Sequence, residues 1–170
     1  MMNRTSRDVI GSLLLAAVLP FAPVQAGDDT GPAAEFKLPA RTGEAVSLSS
    51  LKGQVVLINF WATWCGPCRK EMPLLEQIQK KYASLGFTML GVNVEEDTTM
   101  MDAFLKDVPV TFPILLDPAN GVSKLYNVAA MPSTVIVDRK GNIRYLHQGY
   151  KPGDESTYQD MIRQLIRERG

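Results

Sequence analysis

The chain has 170 residues, 45% of them hydrophobic, and its 18 basic residues balance 18 acidic ones. That length suits one ordinary domain with a substantial core; a neutral chain with no basic block, no basic patch interleaved with aromatics and no phosphate-cradling glycine loop speaks against a nucleic-acid partner. With two cysteines and one histidine, a zinc site would have to recruit carboxylates or a second subunit.

The first 26 residues read as a secretory signal peptide. Arg4 and Arg7 form a basic start, residues 9–22 an apolar stretch too short to span a membrane comfortably, and Val24-Gln25-Ala26 offers small residues for cleavage after Ala26. The alternative is a retained membrane anchor, which Pro20 and Pro23 would interrupt early. No cysteine lies near the cleavage point to carry a lipid. Residues 27–34 then form a polar linker and residues 35–170 one exported domain; the resemblance given below implies the periplasm as its destination.

Residues 36–38 and 45–48 flank the turn-forming Thr42-Gly43 and are expected to pair antiparallel at a sheet edge. Residues 55–60 are apolar on both faces, as a central parallel strand covered by helices must be. Asn59 is the exception, expected to bond nearby backbone. A helix starting at Cys65 or Pro67 carries Met72, Leu75, Ile78, Tyr82 and Leu85 on its apolar side, is kinked by Pro73 and stops at Gly86.

Residues 87–94 form the next strand and end in Glu95-Glu96-Asp97, on the sheet edge where the first strand-to-helix turn also lies. A helix over 98–107 follows, with Met101, Phe104 and Leu105 inward. Residues 110–117 hold a short strand broken by Pro113, and residues 122–126 a short helical piece. A strand over 134–137, a turn over 138–142 and an edge strand over 143–148 come next, with His147 read as an ordinary edge residue. Tyr158, Met161, Ile162, Leu165 and Ile166 mark a closing amphipathic helix. The order, an edge pair and then β-α-β-α-β-α-β-β-α, predicts a three-layer α/β domain with helices on both faces.

Chemistry concentrates at Cys65-Gly66-Pro67-Cys68. The unpaired N–H groups and dipole of a helix start favour a thiolate, so Cys65 is expected to be the attacking nucleophile and Cys68, one turn further in, the resolving thiol. Covalent haem attachment would need histidine at position 69, which is Arg69. A metal site and a purely structural disulfide remain as competing readings; the second would stabilise little over so short a loop. An exported chain that needed stapling would carry further pairs, so this one is retained for turnover.

The pieces Phe60-Trp61-Ala62-Thr63-Trp64-Cys65-Gly66-Pro67-Cys68, with the preceding Val56-Leu57-Ile58-Asn59, Pro73, Gly91-Val92-Asn93-Val94-Glu95-Glu96 and Met131-Pro132-Ser133-Thr134, resemble the thioredoxin superfamily. Within it the chain resembles the TlpA-like family of exported bacterial thiol-disulfide oxidoreductases. The resemblance implies a thioredoxin-like fold, a central mixed sheet with helices on both faces and an N-terminal β-hairpin. It also implies a cis Met131-Pro132 bond against the cysteines, with Trp64, Gly66, Pro67, Met131 and Pro132 meeting the substrate.

Cytosolic thioredoxins carry a buried aspartate where this chain has Asn59, so an ionisable base must come from elsewhere. Glu96 is the nearer match to an acidic residue of the TlpA-like family, with Glu95 as fallback, and is expected to take the proton of Cys68. The implied activity is that of a monomeric protein-disulfide reductase needing no cofactor or metal. Its substrates would be exported protein disulfides, such as those of apocytochrome c or copper sites, and a membrane thiol-disulfide reductase would resupply electrons. Gly66-Pro67 matches thioredoxin, whose potential is about −270 mV against about −120 mV for a strong oxidant, and favours a reductant. The rivals are a periplasmic oxidase or isomerase and a non-catalytic binding module that uses the proline groove.

Overall fold

A computed structural model describes residues 31–168, so the expected signal peptide and the first half of the linker lie outside the described residues. The centre of the fold is β3 (Val55–Trp61), every residue of which is buried. It pairs in parallel with β4 (Phe87–Asn93) and antiparallel with β6 (Ser133–Val137). With β5 (Ile114–Leu116) and β7 (Ile143–Gln148) the sheet runs in the order β5-β4-β3-β6-β7.

The helices are α1 (Gly66–Tyr82), α2 (Thr99–Asp107), α3 (Gly121–Leu125) and α4 (Asp154–Arg167). Side chains alternate along a strand, so Asn59 and Trp61 share one face of β3. On that face Asn59 meets Glu71 of α1, α4 packs on α1, and the Trp61 ring lies 5.4 Å from that of Phe104 in α2. On the other face Phe60 packs 5.7 Å from Tyr126 at the end of α3, and Tyr126 6.2 Å from Phe36. The three layers expected from element order are present.

The N-terminal pair, β1 (Lys37–Leu38) and β2 (Val46–Ser47), forms its own two-stranded sheet instead of extending the main one. Strands of two residues make few ladder bonds; this pair is held by burial of Phe36, Leu38 and Leu48 and by bonds from the intervening loop to β5. There Leu116 N donates to Pro39 O at 2.9 Å and Arg41 N to Ile114 O at 2.7 Å.

Helix α1 runs unbroken past Pro73 and buries Met72, Leu75, Ile78 and Tyr82 as the spacing predicts. Leu85 departs from the expectation and is 50% exposed. It sits in a 3-10 turn, Ala83–Leu85, whose tighter winding carries it off the apolar stripe before Gly86, at φ 77°, ends the segment. The short α3 is held at its start by Asp117, whose carboxylate accepts from the backbone of Gly121, Val122 and Ser123 at 2.8 to 3.2 Å.

Gly91 allows the close approach of β5. A methyl group on it would lie 2.9 Å from Ile114 Cδ1 and 3.0 Å from Phe112 Cε2. Gly91→Ala is therefore expected to lower stability by about 1–3 kcal/mol through overpacking, read as a fall in the urea midpoint. An unchanged midpoint would show that these neighbours yield freely.

One row of the sheet is unlike its neighbours. Gly91, Asn59, Thr134 and His147 stand in register across β4, β3, β6 and β7. The row leads from the middle of the sheet to its edge.

Candidate active site

Strand β3 delivers the chain to a turn in which Cys65 N donates to Ala62 O at 3.2 Å, and Cys65 caps the N-terminus of α1. Pro67 occupies the first turn of the helix, where its missing N–H costs nothing. Cys65 and Cys68 are joined as a disulfide with Cα atoms 5.3 Å apart. Cys68 N points at Cys65 Sγ, 3.2 Å away, so a thiolate formed there would gain a hydrogen bond as well as the helix dipole.

The two sulfurs differ in access. Cys65 lines a mainly apolar groove of about 490 Å³ with Trp64, Gly66, Pro67, Val128 and Met131, whereas Cys68 is not among the lining residues. Trp64 is 70% exposed beside it. Across the groove the Met131-Pro132 bond is cis. Met131 N and O make no hydrogen bond among the described residues, while Pro132 O accepts from Gly149 N at 2.7 Å. Extended substrate backbone can use such unpaired groups. The structure thus brings Trp64, Cys65, Gly66, Pro67 and Met131 together at one groove.

One helical turn beyond the disulfide lies a residue that sequence reasoning missed. Glu71 is fully buried, one helical turn from Cys68, and spacing of three places the two on one side of α1. Its Oε2 accepts from Asn59 Nδ2 at 2.9 Å, and Asn59 Nδ2 also donates to Thr134 Oγ1 at 3.0 Å. Asn59 therefore bonds side chains, not the backbone expected for it. Glu71 Oε1 and the nearby Tyr158 Oη lack hydrogen bonds of normal geometry. Burial pushes the Glu71 carboxyl up to about 7, against the bond from Asn59 and the proximity of Tyr158; Asp154 and Glu155 at the start of α4 add to the rise. An acid poised near neutrality can exchange a proton with a neighbouring thiol. The signal in the sequence was its place three residues after Cys68, inside the buried stripe of the helix.

The adjacent acids at the end of β4 take different environments. Glu95 accepts from Thr63 N at 2.8 Å, Thr63 Oγ1 at 2.6 Å and Asn93 Nδ2 at 2.8 Å. Glu96 is exposed and has no such partners among the described residues.

A strand-to-helix dithiol pair opposite a cis-proline, on a mixed sheet with helices on both faces, defines a thioredoxin-fold protein. The chain belongs to the Redoxin family, whose model matches residues 25–162. It is 44% identical over 120 residues to the thioredoxin-like protein YneN of Bacillus subtilis, 69% of each chain. To the thiol-disulfide oxidoreductase ResA of the same organism it is 35% identical over 123 residues, 72% of this chain and 69% of that one. Among solved structures, a Chlorobium tepidum protein assigned as thiol:disulfide interchange protein DsbE shares 37% identity with a TM-score of 0.78, over 82% of this chain and 98% of that one. The protein is a thiol-disulfide oxidoreductase, and its fold is the thioredoxin-like one expected from the sequence.

Proposed function

We propose that the protein is an exported reductant of specific protein disulfides, with Cys65 as the attacking sulfur. The observation that carries this reading is the inequality of the two sulfurs: Cys65 opens onto a groove with unpaired backbone at Met131, and Cys68, buried and absent from that groove, lies one helical turn before Glu71. In the reduced protein the Cys65 thiolate attacks one substrate sulfur, forming a mixed disulfide and releasing the other as a thiolate. Cys68 then gives its proton to Glu71 and attacks Cys65 Sγ. The second substrate sulfur leaves, two electrons have passed to the substrate, and the Cys65–Cys68 bond is restored.

Glu71 takes the role that sequence reasoning gave to Glu96, because it is the acid on the Cys68 side of α1 and is held near neutrality. Trp64, Gly66, Pro67, Met131 and Pro132 meet the substrate. Export rests on the N-terminal pattern of residues 1–26, followed by the linker of 27–34 and the domain of 35–170. In the oxidising periplasm the disulfide form accumulates, so a membrane thiol-disulfide reductase must return electrons. Disulfides of apocytochrome c or of copper-site proteins are the substrate classes this reading favours, and the protein acts as a monomer.

Insulin reduction and equilibration with glutathione test the direction of electron flow. A potential well below that of glutathione, with insulin reduced and Cys65→Ser inactive, is the expected result. A potential above about −200 mV would identify an oxidant or isomerase, and a wild-type protein that leaves insulin intact would identify a binding module.

A further inference from the structure

In the oxidised protein Cys65 is fixed twice, by its helix and by a covalent bond to Cys68. During turnover that bond opens, and the short turn of residues 62–65 must keep the nucleophile on the helix N-terminus without it. Trp64 cannot supply the anchor, since it is mostly exposed. Thr63, the other central residue of the turn, is buried, and its two donors are both spoken for by one side chain from the loop that follows β4.

The geometry points to Glu95 as a positioning residue for Cys65, holding the turn that carries the nucleophile once the disulfide is open. Its two carboxylate oxygens divide the work: Oε2 takes Thr63 N at 2.8 Å and Oε1 takes Thr63 Oγ1 at 2.6 Å. The carboxylate is itself fixed. Asn93, fully buried at the end of β4, donates to Glu95 Oε2 at 2.8 Å and accepts from Glu95 N at 3.1 Å, while Val94 N bonds Trp61 O at 3.2 Å. Two neighbouring parallel strands are thus locked at the point where one becomes the active-site turn. With three donors on its oxygens, the Glu95 carboxylate is committed to holding the turn. The inference rests on Cys65 being the attacking sulfur and adds the residue that keeps it in place.

Three substitutions separate placement from charge. Glu95→Ala removes the clamp. Thr63→Val removes one donor and changes little else. Glu95→Gln removes the charge but can keep the contacts, because an amide oxygen accepts from Thr63 N and Asn93 Nδ2 while the amide nitrogen donates to Thr63 Oγ1, a hydroxyl that can also accept.

In the reduced protein, alkylation of Cys65 by iodoacetamide is expected to slow about tenfold at pH 7 in Glu95→Ala, the scale of one lost hydrogen bond. The pH profile should move upward, Thr63→Val should share part of the effect, and the double variant should be no worse than Glu95→Ala. Glu95→Gln should stay close to wild type. Because the reduced form depends on the clamp more than the disulfide-linked form, the potential of Glu95→Ala should become more negative.

The inference is overturned if Glu95→Gln reacts as slowly as Glu95→Ala, which would make the charge the cause. Equal falls in melting temperature for the oxidised and reduced forms with an unchanged or raised potential would also overturn it. Should Glu95→Ala fail to fold, Thr63→Val decides, and wild-type reactivity in that variant is again a negative result. Loss of insulin reduction in the wild-type protein would instead strike the underlying reading of Cys65.

Discussion

Cys68→Ser should turn the protein into a trap. Attack by Cys65 needs only the helix terminus and the groove, both intact in the variant, so a mixed disulfide should form at close to the wild-type rate. Its resolution needs the second sulfur, and without it the complex persists until an external thiol releases it. Cys65→Ser should reduce insulin no faster than the uncatalysed reaction and capture nothing, because Cys68 does not line the groove. Mass spectrometry of a periplasmic extract passed over Cys68→Ser reads both the link, through Cys65, and the substrate. Recovery of complexes through Cys68 from the Cys65→Ser protein would reverse the assignment of the two sulfurs.

The second large effect belongs to Glu71. Replacement by Gln keeps the shape and a partner for Asn59 but removes the proton acceptor. The rate at which Cys68 resolves the mixed disulfide should fall about a hundredfold near pH 7, the ordinary contribution of a general base. Initial attack by Cys65 should change far less, and Glu96→Gln should resolve like wild type. Stopped-flow resolution rates across pH 6 to 9 distinguish the two acids; a wild-type rate in Glu71→Gln would remove Glu71 from the reaction.

Glu71 also makes a stability prediction whose sign is fixed by linkage. Its carboxyl titrates near 7 in the folded protein against 4.5 for the ordinary side chain. The folded state therefore binds the proton more tightly, and the stabilisation is fully present below pH 4.5 and is lost as the pH rises through 7. The span corresponds to about 3 kcal/mol. Asp138, held below its ordinary range chiefly by backbone bonds from Asn142 and Lys140 against its desolvation, and Glu168, held down by Arg144, act in the opposite direction, but only in more acid solution. Urea unfolding of the oxidised protein between pH 5 and 8 should show stability declining in the wild type and nearly flat in Glu71→Gln. Parallel curves would contradict the placement of a neutral acid at this site.

The order of strands and helices was legible because each element carries its own period, and the apolar run of residues 55–60 could only be a covered central strand. What the sequence hid depends on contacts between distant segments. Glu71 looks like one more charged residue on a helix until α4 and β6 close over it. Glu95 and Glu96 are neighbours in a loop without periodicity, and only Thr63 and Asn93 determine which of them turns inward. Leu85 fits the helical spacing, but the winding changes three residues earlier. The pair β1 and β2 was recognisable as a hairpin; its seat beside the edge strand β5 depends on bonds made far along the chain.

The pairing of Asn59 with Thr134 also bears on how the sheet finds its alignment. Most of β3 and β6 is interchangeable aliphatic surface, on which a slip of one residue would cost little in buried area. Such a slip would set Asn59 against Ser133 or Val135 and turn Thr134 to the opposite face. Set against Val135, the amide would lose its Thr134 acceptor in a dry interior, at about 1–3 kcal/mol, and keep only Glu71. The amide that holds the acid of α1 thus also marks where β6 must stand, so one side chain serves both the site and the alignment of the sheet.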